Sequence, residues 1–417
     1  HYKPSGIEWI GEIPAHWEVG RMANFGDFFK GKGVSKSDLT PVGKPVILYS
    51  EIYTKYNLRT GNLISRISNQ TSQKSFQIHK GDLLFTASGE TREDIGKCVV
   101  YDGNGDAFAG GDVIIFRQQK YDSLYFSYLF NSIFFREQKG KLSKGEIVVH
   151  IYSSQLRDIK FTIPPLPEQT AIAAYLDRKT AAIDELLADK RRLLELYAEE
   201  KQALINQAVT KGIDPDVELK PSGIEWLGEV PGHWEVKKLK YVFKSLNSKR
   251  VPLSSVERGK MTNRQYDYYG ASGVIDKVED YIFNESLLLI GEDGANLLTR
   301  STRLVFIARG KYWVNNHAHI LKPYYGLLEY FAELLEQYDF SNWISGSAQP
   351  KLTSENLMSI EIIVPPIKEQ RAIVHHIETE CARLDEKVER TQQLIELLGE
   401  YRTALISEVV TGKVRVV

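Results

Sequence analysis

The chain has 417 residues, enough for about two to four domains, and its 42% apolar and 26% charged content is ordinary for a globular protein. The net charge of −1 argues against a strongly basic, stand-alone nucleic-acid binder, and the two isolated cysteines, Cys98 and Cys381, argue for a reducing compartment without a disulfide framework. No secretory signal opens the chain and no apolar run approaches the ~20 residues that span a bilayer, so we expect a cytoplasmic protein without a membrane partner.

The first element is a motif that occurs twice. Residues 3–19 read KPSGIEWIGEIPAHWEV and residues 220–236 read KPSGIEWLGEVPGHWEV, which are identical at 14 of 17 positions. A second repeat, IPPLPEQ from Ile163 and VPPIKEQ from Val364, follows at a different offset. The chain therefore consists of two copies of one unit, each with similar ends and a different middle. The paired tryptophans and fixed turns of the first motif favour a clamp on a helix end over a ligand site.

A long amphipathic helix is predicted after each Pro-Pro. Apolar residues recur at intervals of three and four from Ile172 to Ala208, and again at positions 201 residues later, from Ile373 to Val409. Gly212 and Gly412 mark the helix ends. Each helix spans about 40 residues, or about 60 Å. A helix with one apolar stripe needs a partner stripe, so we expect the two helices to pack antiparallel around a pseudo-twofold axis.

The two inserts are predicted to be mixed α/β, which makes the fold class α+β. The first insert has predicted strands at 45–49, 83–87, 98–101 and 113–117 and a helix at 125–136. The second has predicted strands at 286–290, 304–308 and 319–321 and a helix at 325–338. The domains are then 1–22 for the first motif, 23–162 for the first insert, 163–212 for the first long helix, 213–239 for the linker and second motif, 240–363 for the second insert, and 364–417 for the second long helix.

A polar loop follows a predicted strand in each insert: SGETRED at 88–94 and GEDGAN at 291–296. Three interpretations stay open for both loops. They are catalysis or metal binding by the paired acids, a solvated surface loop, and readout of a DNA groove by short polar side chains, with glycine allowing close approach of the backbone. The candidate base-contacting residues are Ser88, Glu90, Thr91, Arg92, Glu292, Asp293 and Asn296.

Several cations are candidates for contacts with DNA phosphates, or alternatively plain surface charges. They are Lys30, Lys32, Lys249, Arg250, Arg300 and Arg303. The KGKG segment at 30–33 lacks the spacing of a nucleotide-binding phosphate loop. In the second insert, His317 and His319 form a His-x-His pair that would place both imidazoles on one face of a strand, but no other ligands at metal-binding spacing accompany them.

Motifs of catalysis are absent from the sequence. There is no G-x-S-x-G, no H-E-x-x-H, no Walker motif, and no Gly-rich cofactor fingerprint at the start of a βαβ unit. A catalytic role, a bound metal or a cofactor in this chain therefore has little support from the sequence.

The repeated arrangement resembles the specificity subunit of type I restriction–modification enzymes, the HsdS family. The resemblance rests on both copies of the PSGIEW motif that ends in HWEV, on both PP-x-x-EQ helix starts, and on the closing segments VTKG at 209–212 and VTGK at 410–413. GDLLFTASGETREDIGK from Gly81 and AQPKLT from Ala348 also match, and the latter adds Lys351 to the candidate DNA contacts. The resemblance covers essentially the whole chain.

The resemblance implies a subunit that binds double-stranded DNA without cutting or methylating it. The inserts would be target recognition domains, each reading one half of a bipartite, asymmetric site, and the helices would set the spacing of the half-sites. Two methyltransferase subunits with S-adenosylmethionine, and restriction subunits with ATP and Mg, would dock on it, and no cofactor is expected in this chain. Two alternatives stay open: a protein-interaction scaffold, and an enzyme with fused recognition domains.

Overall fold

The computed structural model describes residues 1–346 and 350–416, so Ala348 and Gln349 of the AQPKLT match lie outside the described residues. The chain forms two compact units. Unit 1 comprises residues 1–191 and 392–417, and unit 2 comprises residues 192–391. Both boundaries fall inside the long helices, so each unit contains one part of each helix.

Unit 1 begins with short strands and continues into its helices. The strands are β1 (Tyr2–Pro4), β2 (Glu12–Pro14), β3 (Glu18–Arg21), β4 (Asp27–Lys30), β5 (Leu39–Ile47), β6 (Arg59–Thr60), β7 (Arg66–Ile67), β8 (Phe76–Ile78), β9 (Leu83–Thr86), β10 (Ser88–Gly89), β11 (Cys98–Tyr101), β12 (Ala107–Ala109), β13 (Val113–Arg117), β14 (Val149–His150) and β15 (Lys160–Ile163). The helices are α1 (Tyr49–Thr54), α2 (Asn69–Ser72), α3 (Ser123–Asn131), α4 (Ile133–Leu142), α5 (Ser153–Arg157) and α6 (Leu166–Lys211), of which the last continues into unit 2.

The central sheet of unit 1 has five strands in the order β4-β13-β9-β11-β6. Its strand pairs are antiparallel except for β6, which is parallel to β11. Leu83 and Phe85 of β9 join a core that contains α3, whereas Leu84 joins a second core shared with the sheet β7-β5-β12-β8. Both faces of this strand are therefore buried, which explains why the LLFT segment is apolar without alternation.

Unit 2 follows a similar plan with different strands. They are β16 (Leu219–Pro221), β17 (Glu229–Pro231), β18 (Glu235–Lys238), β19 (Phe243–Ser245), β20 (Tyr266–Gly270), β21 (Gly273–Val278), β22 (Phe283–Asn284), β23 (Leu287–Gly291), β24 (Val305–Ala308), β25 (Lys311–Val314), β26 (Ala318–Pro323), β27 (Ile344–Ser345), β28 (Lys351–Leu352) and β29 (Glu361–Val364). The helices are α7 (Leu239–Val242), α8 (Ser255–Gly259), α9 (Asn296–Thr299), α10 (Leu328–Glu336), α11 (Ser354–Ser359) and α12 (Ile367–Val410), of which the last continues into unit 1.

Two four-stranded sheets build the insert of unit 2. One is antiparallel throughout, in the order β19-β26-β23-β24, and the other has the order β21-β20-β25-β22, with β20 and β25 parallel. On β23, Leu288 and Ile290 join the core that contains α10, and Leu287 and Leu289 join the core of the second sheet. The central strand is again buried on both faces.

The two long helices pack antiparallel, as predicted. Helix α6 has 46 residues and α12 has 44. In unit 1, Arg402 donates to both carboxylate oxygens of Asp184, at 2.8 and 3.0 Å. In unit 2, Lys201 donates to both oxygens of Asp385, at 2.7 and 2.9 Å. Partner numbers fall along α12 as they rise along α6, which is the signature of an antiparallel pair.

The repeated HWEV segment clamps the start of a long helix in each unit, as predicted. In unit 1, Trp17 Nε1 donates to Glu168 in the first turn of α6, at 3.0 Å. In unit 2, Trp234 Nε1 donates in the same way to Glu369 of α12, at 2.8 Å. The histidine that precedes each tryptophan contacts the other carboxylate oxygen, at 2.5 and 2.6 Å. A carboxylate at this place also complements the positive end of the helix dipole.

The predicted fold class is confirmed, with differences at particular elements. The stretch 125–136, predicted as one helix, contains parts of two, because Ser132 is extended (φ −61°, ψ 156°) and its Oγ donates to Leu129 O at 2.7 Å. The strand predicted at 45–49 ends at Ile47, and Tyr49 opens α1. His317 lies in a turn rather than on β26. Within the described ranges, no helix is both long and apolar enough to cross a membrane.

Candidate nucleic-acid interface

The candidate residues of unit 1 gather at one edge of its central sheet. Strand β13 separates β4 from β9, and its residue Ile114 lies opposite Lys30 on one side and Phe85 on the other. Lys30 ends β4, Lys32 follows it, and Ser88 follows β9. Two strand spacings amount to about 10 Å. The basic segment and the polar loop, which are far apart in sequence, therefore share one edge of the sheet.

Unit 2 places its candidates in the corresponding way. Strand β26 separates β19 from β23, with Leu321 opposite Ser245 on one side and Leu288 on the other. Lys249 and Arg250 follow β19 as Lys30 and Lys32 end and follow β4. We call residues 90–97 the first loop and residues 292–304 the second loop. Each loop follows the central strand and lies beside a basic segment from the edge strand.

A short strand also crosses the start of each loop. In unit 1, His150 of β14 lies opposite Ser88, whose Oγ is 3.0 Å from His150 Nδ1. In unit 2, Lys351 lies opposite Asp293. His150 therefore occupies the position that Lys351 occupies in unit 2. The sequence interpretation missed His150, although the 201-residue offset of the long helices, extended backwards, aligns HIYS at 150–153 with KLTS at 351–354.

Exposed polar side chains dominate the first loop. Glu90, Thr91 and Arg92 are exposed, whereas Ser88 is buried. Arg92 donates to Gly145 O at 3.4 Å, in the turn that leads to β14. Glu90, Thr91 and Arg92 are thus the side chains of this loop that can face a ligand, and the buried Ser88 lies at the base of the loop.

The second loop begins with a buried carboxylate. Glu292 pairs with Arg250 and with Lys351, whose Nζ lies 3.1 Å from Oε1. Burial by itself would raise the pKa of Glu292, but the hydrogen bond from Arg250 and the nearby cations lower it below its ordinary value. Arg250 also donates to Ala318 O at 3.0 Å. One buried negative charge therefore holds two cations at this edge, and Lys351 keeps half of its side chain exposed.

His319 serves structure rather than metal binding. Asn247 Oδ1 accepts from Ile320 N at 2.9 Å, which fixes the amide orientation and leaves Nδ2 to donate to His319 Nδ1 at 2.8 Å. His319 Nε2 must then carry the proton that is donated to Leu352 O at 2.7 Å. Burial lowers the pKa of His319 and keeps it neutral. Across the described parts of the chain, no three His, Cys, Asp or Glu side chains converge to hold a metal ion.

Other candidates on the second loop point partly inward. Asn296 binds the backbone of Thr302, with Oδ1 accepting from its N–H at 2.9 Å. Arg300 donates to Tyr338 O and lies over the ring of Phe340, at 5.3 Å. Arg303 pairs with Glu333 of α10 at 2.6 Å and donates to Val305 O at 3.0 Å. These three side chains shape the loop. Lys249 and Lys351, by contrast, are exposed to solvent. Asp293 is partly exposed and lies 2.8 Å from His317 Nδ1.

Comparison with known proteins finds a family match over most of the chain. Residues 14–196 and 231–397 match the family described as the type I restriction modification DNA specificity domain. The chain is 25% identical to the type I restriction enzyme MjaVIII specificity subunit of Methanocaldococcus jannaschii, over 97% of this chain and 94% of that one. The resemblance predicted from the repeated motifs is thereby confirmed.

Two solved structures share the fold. One is a chain from a study of complex assembly and conformational transition of the type I R-M system, with a TM-score of 0.66, 15% identity, and coverage of 96% of this chain and 99% of that one. The other is the HsdS subunit from Thermoanaerobacter tengcongensis, with a TM-score of 0.59, 16% identity, and coverage of 96% and 98%. With the family matched on both copies of its repeat, the chain belongs to the type I restriction–modification DNA specificity family.

Proposed function

We propose that this chain is the DNA-specificity subunit of a type I restriction–modification enzyme and that each unit reads one half of a bipartite site. The supporting observation is that both units bring the same three kinds of element together at one edge of the central sheet. In each unit, a basic segment, a polar loop and a crossing strand meet at the end of the central strand, yet the side chains differ. Two similarly built edges with different side chains support the recognition of an asymmetric DNA site with two unlike halves.

The recognition domains in this proposal are residues 23–162 and 240–363. Lys30, Lys32 and Lys249, which are exposed, contact phosphates and fix the register on DNA. Base edges are read by the exposed residues of the first loop, Glu90, Thr91 and Arg92, and in unit 2 by Asp293 and Lys351. The remaining candidates, Ser88, Arg250, Glu292, Asn296, Arg300 and Arg303, give the loops their shape, and their exposed atoms contribute to the same surface.

The long helices carry the second part of the proposed function. They set the distance between the half-sites and dock two methyltransferase subunits and the restriction subunits. S-adenosylmethionine and ATP with Mg are bound by those partners, and this chain has the non-catalytic role of its family. The net charge of −1 supports this division, because partner subunits must then supply much of the attraction to DNA phosphates. We place the complex in the cytoplasm, where its DNA lies.

Modified-base sequencing tests the proposal directly. The chain is expressed with its cognate methyltransferase subunit, and the methylated motif is read from the host DNA. We expect a bipartite, asymmetric motif, and replacement of residues 240–363 by another insert should change one half only. Loss of both halves would contradict the modular assignment.

Two further outcomes separate the alternatives. Methyl transfer by the purified chain alone with S-adenosylmethionine would identify an enzyme with fused recognition domains. Binding of the partner subunits without a DNA footprint of the assembled complex would identify an interaction scaffold.

A further inference from the structure

A buried lysine lies behind the first loop. Lys139 on α4 is 0% exposed, and its Nζ donates to Gly96 O at 2.5 Å and Phe130 O at 2.8 Å. It forms no ion pair with any residue that the structure describes. Lysine is rarely buried without a counter-charge, because removing the ammonium group from water is costly. Burial accordingly lowers the pKa of Lys139 to about 7.

Helix α4 contacts both ends of the first loop. Gly96, at the return of the loop to the sheet, has φ +70°, and a Cβ there would lie 2.8 Å from Lys139 Cδ. A Cβ on Gly140 would lie 2.7 Å from Arg92 O, near the start of the loop. The loop therefore packs against two adjacent residues of α4, Lys139 and Gly140, and Lys139 donates the hydrogen bond where the loop returns to the sheet.

In unit 2, a partly buried glutamate contacts the return of the second loop. Glu336, at the end of α10, has a side chain that is 19% exposed. Its Oε2 accepts from Leu304 N at 3.0 Å and from Val305 N at 2.7 Å, where the second loop returns to β24. Burial raises the pKa of Glu336, so this carboxylate too is held at an energetic cost.

The two units thus hold the return of the loop with side chains of opposite type, a basic one in unit 1 and an acidic one in unit 2. In each, a helix sends one ionisable side chain to the backbone at the return of the polar loop: Lys139 from α4, which packs on α3, and Glu336 from α10, which packs on β23 and β24. The lysine binds a carbonyl oxygen, and the glutamate binds two N–H groups. Neither residue faces outward, and neither belongs to the repeated motifs.

We propose that Lys139 and Glu336 are positioning residues, each of which latches the loop in front of it and so sets how that unit reads its half-site. This inference rests on the proposed function, because it takes the two loops as the reading elements. A latch at the return of a loop fixes where the exposed side chains point without touching DNA itself.

The test compares Lys139→Met with Glu336→Ala in the full chain assembled with its methyltransferase. Modified-base sequencing reads both half-sites in one experiment. We expect Lys139→Met to relax the half-site of unit 1 alone by about tenfold, the effect of one lost hydrogen bond of ordinary strength, and Glu336→Ala to relax that of unit 2 alone by at least as much, because it loses two. Glu336→Gln keeps one acceptor oxygen and should restore part of the selectivity.

Hydrogen exchange of the same variants supplies a readout that does not depend on methylation. Amides of residues 91–97 should exchange about tenfold faster in Lys139→Met, and those of Leu304 and Val305 in Glu336→Ala. The matched controls each remove another buried hydrogen bond from the same helical layer. They are Ser127→Ala, which loses a 2.6 Å bond to Leu58 O, and Tyr330→Phe, which loses a 3.0 Å bond to Val209 O.

The outcomes separate the two proposals. If the unaltered enzyme methylates no bipartite motif, the proposed function fails, and loop exchange alone decides the latch. Unchanged exchange in the loops, or variants that weaken both half-sites as much as the controls do, would overturn the latch. Selective loosening of one loop with relaxation of its own half-site would support it.

Discussion

Replacement of Lys139 by methionine should change how the stability of unit 1 depends on pH. Burial lowers the pKa of this amine from 10.5 to about 7 in the folded chain. Between those values the unfolded chain holds a proton that the folded chain has released. The free energy of unfolding therefore rises with pH, by about 1.4 kcal/mol per pH unit. Over the whole shift the gain amounts to roughly 5 kcal/mol.

The methionine variant has no such proton to release. It instead leaves two backbone oxygens, those of Gly96 and Phe130, without their donor, at a cost of about 1–3 kcal/mol for each buried group. That cost does not depend on pH. The two effects can therefore be distinguished. The lost hydrogen bonds lower the free energy of unfolding by the same amount at every pH, whereas removal of the titrating amine changes how steeply this free energy depends on pH.

Thiol labelling of Cys98 offers a local assay. Cys98 is buried beside Lys139, so it reacts only when this part of the core opens, and Cys381→Ser removes the other thiol. The ratio of labelling rates in the lysine and methionine proteins cancels the chemistry of the thiol itself. We expect this ratio to fall about tenfold per pH unit from pH 7.5 to 9.5. A ratio that stays constant over this range would refute the reasoning.

Three further predictions concern the frame and the second loop. Gly412→Ala should destabilise the protein in urea by about 1–3 kcal/mol more than Gly11→Ala, because both glycines have φ 74° but only at Gly412 would the added methyl meet a proline ring, at 2.7 Å. A double-mutant cycle on Arg402 and Asp184, whose side chains are 22% and 47% exposed, should give a coupling of about 0.5–1 kcal/mol that falls in high salt. Glu292→Gln removes the carboxylate that pairs with the half-exposed Lys351, so this one cation can reach a DNA phosphate and the salt dependence of DNA binding by the assembled enzyme should become steeper by about one unit in the log–log slope.

Each of these measurements can fail in a defined way. Equal effects of the two glycine substitutions would mean that the contact at the helix end carries no strain. A coupling that persists in high salt would place the ion pair in a less solvated setting than its exposure indicates. An unchanged salt slope would mean that Lys351 does not approach a DNA phosphate.

Much of the frame was predictable, because its signals are local or repeated. The long helices follow from apolar residues at intervals of three and four, and their equal register follows from the constant offset of 201 residues. The clamp was also foreseeable, since paired tryptophans in a duplicated motif point to a duplicated contact. Family membership follows from the order of these parts, which a single motif would not establish.

The candidate site was predictable only in outline. The polar loops and basic segments stand out by composition, but composition does not show which side chains turn inward. Composition predicts Arg250, Asn296 and Arg300 as DNA contacts, whereas in the structure all three side chains bind the protein itself. His150 has no signal of its own in the sequence, and only the 201-residue offset of the long helices, extended backwards, aligns it with Lys351.

The sequence alone therefore determined the duplicated architecture, the antiparallel helix pair and the family, because these depend on periodicity and repetition in the order of the residues. Only the tertiary structure showed which edge of each sheet brings the candidate residues together. It also showed which side chain, Lys139 or Glu336, holds the return of each loop. Lys139 meets Gly96 across 43 residues, and Glu336 meets Val305 across 31. Such contacts depend on how strands and helices are stacked, and no local pattern encodes that stacking.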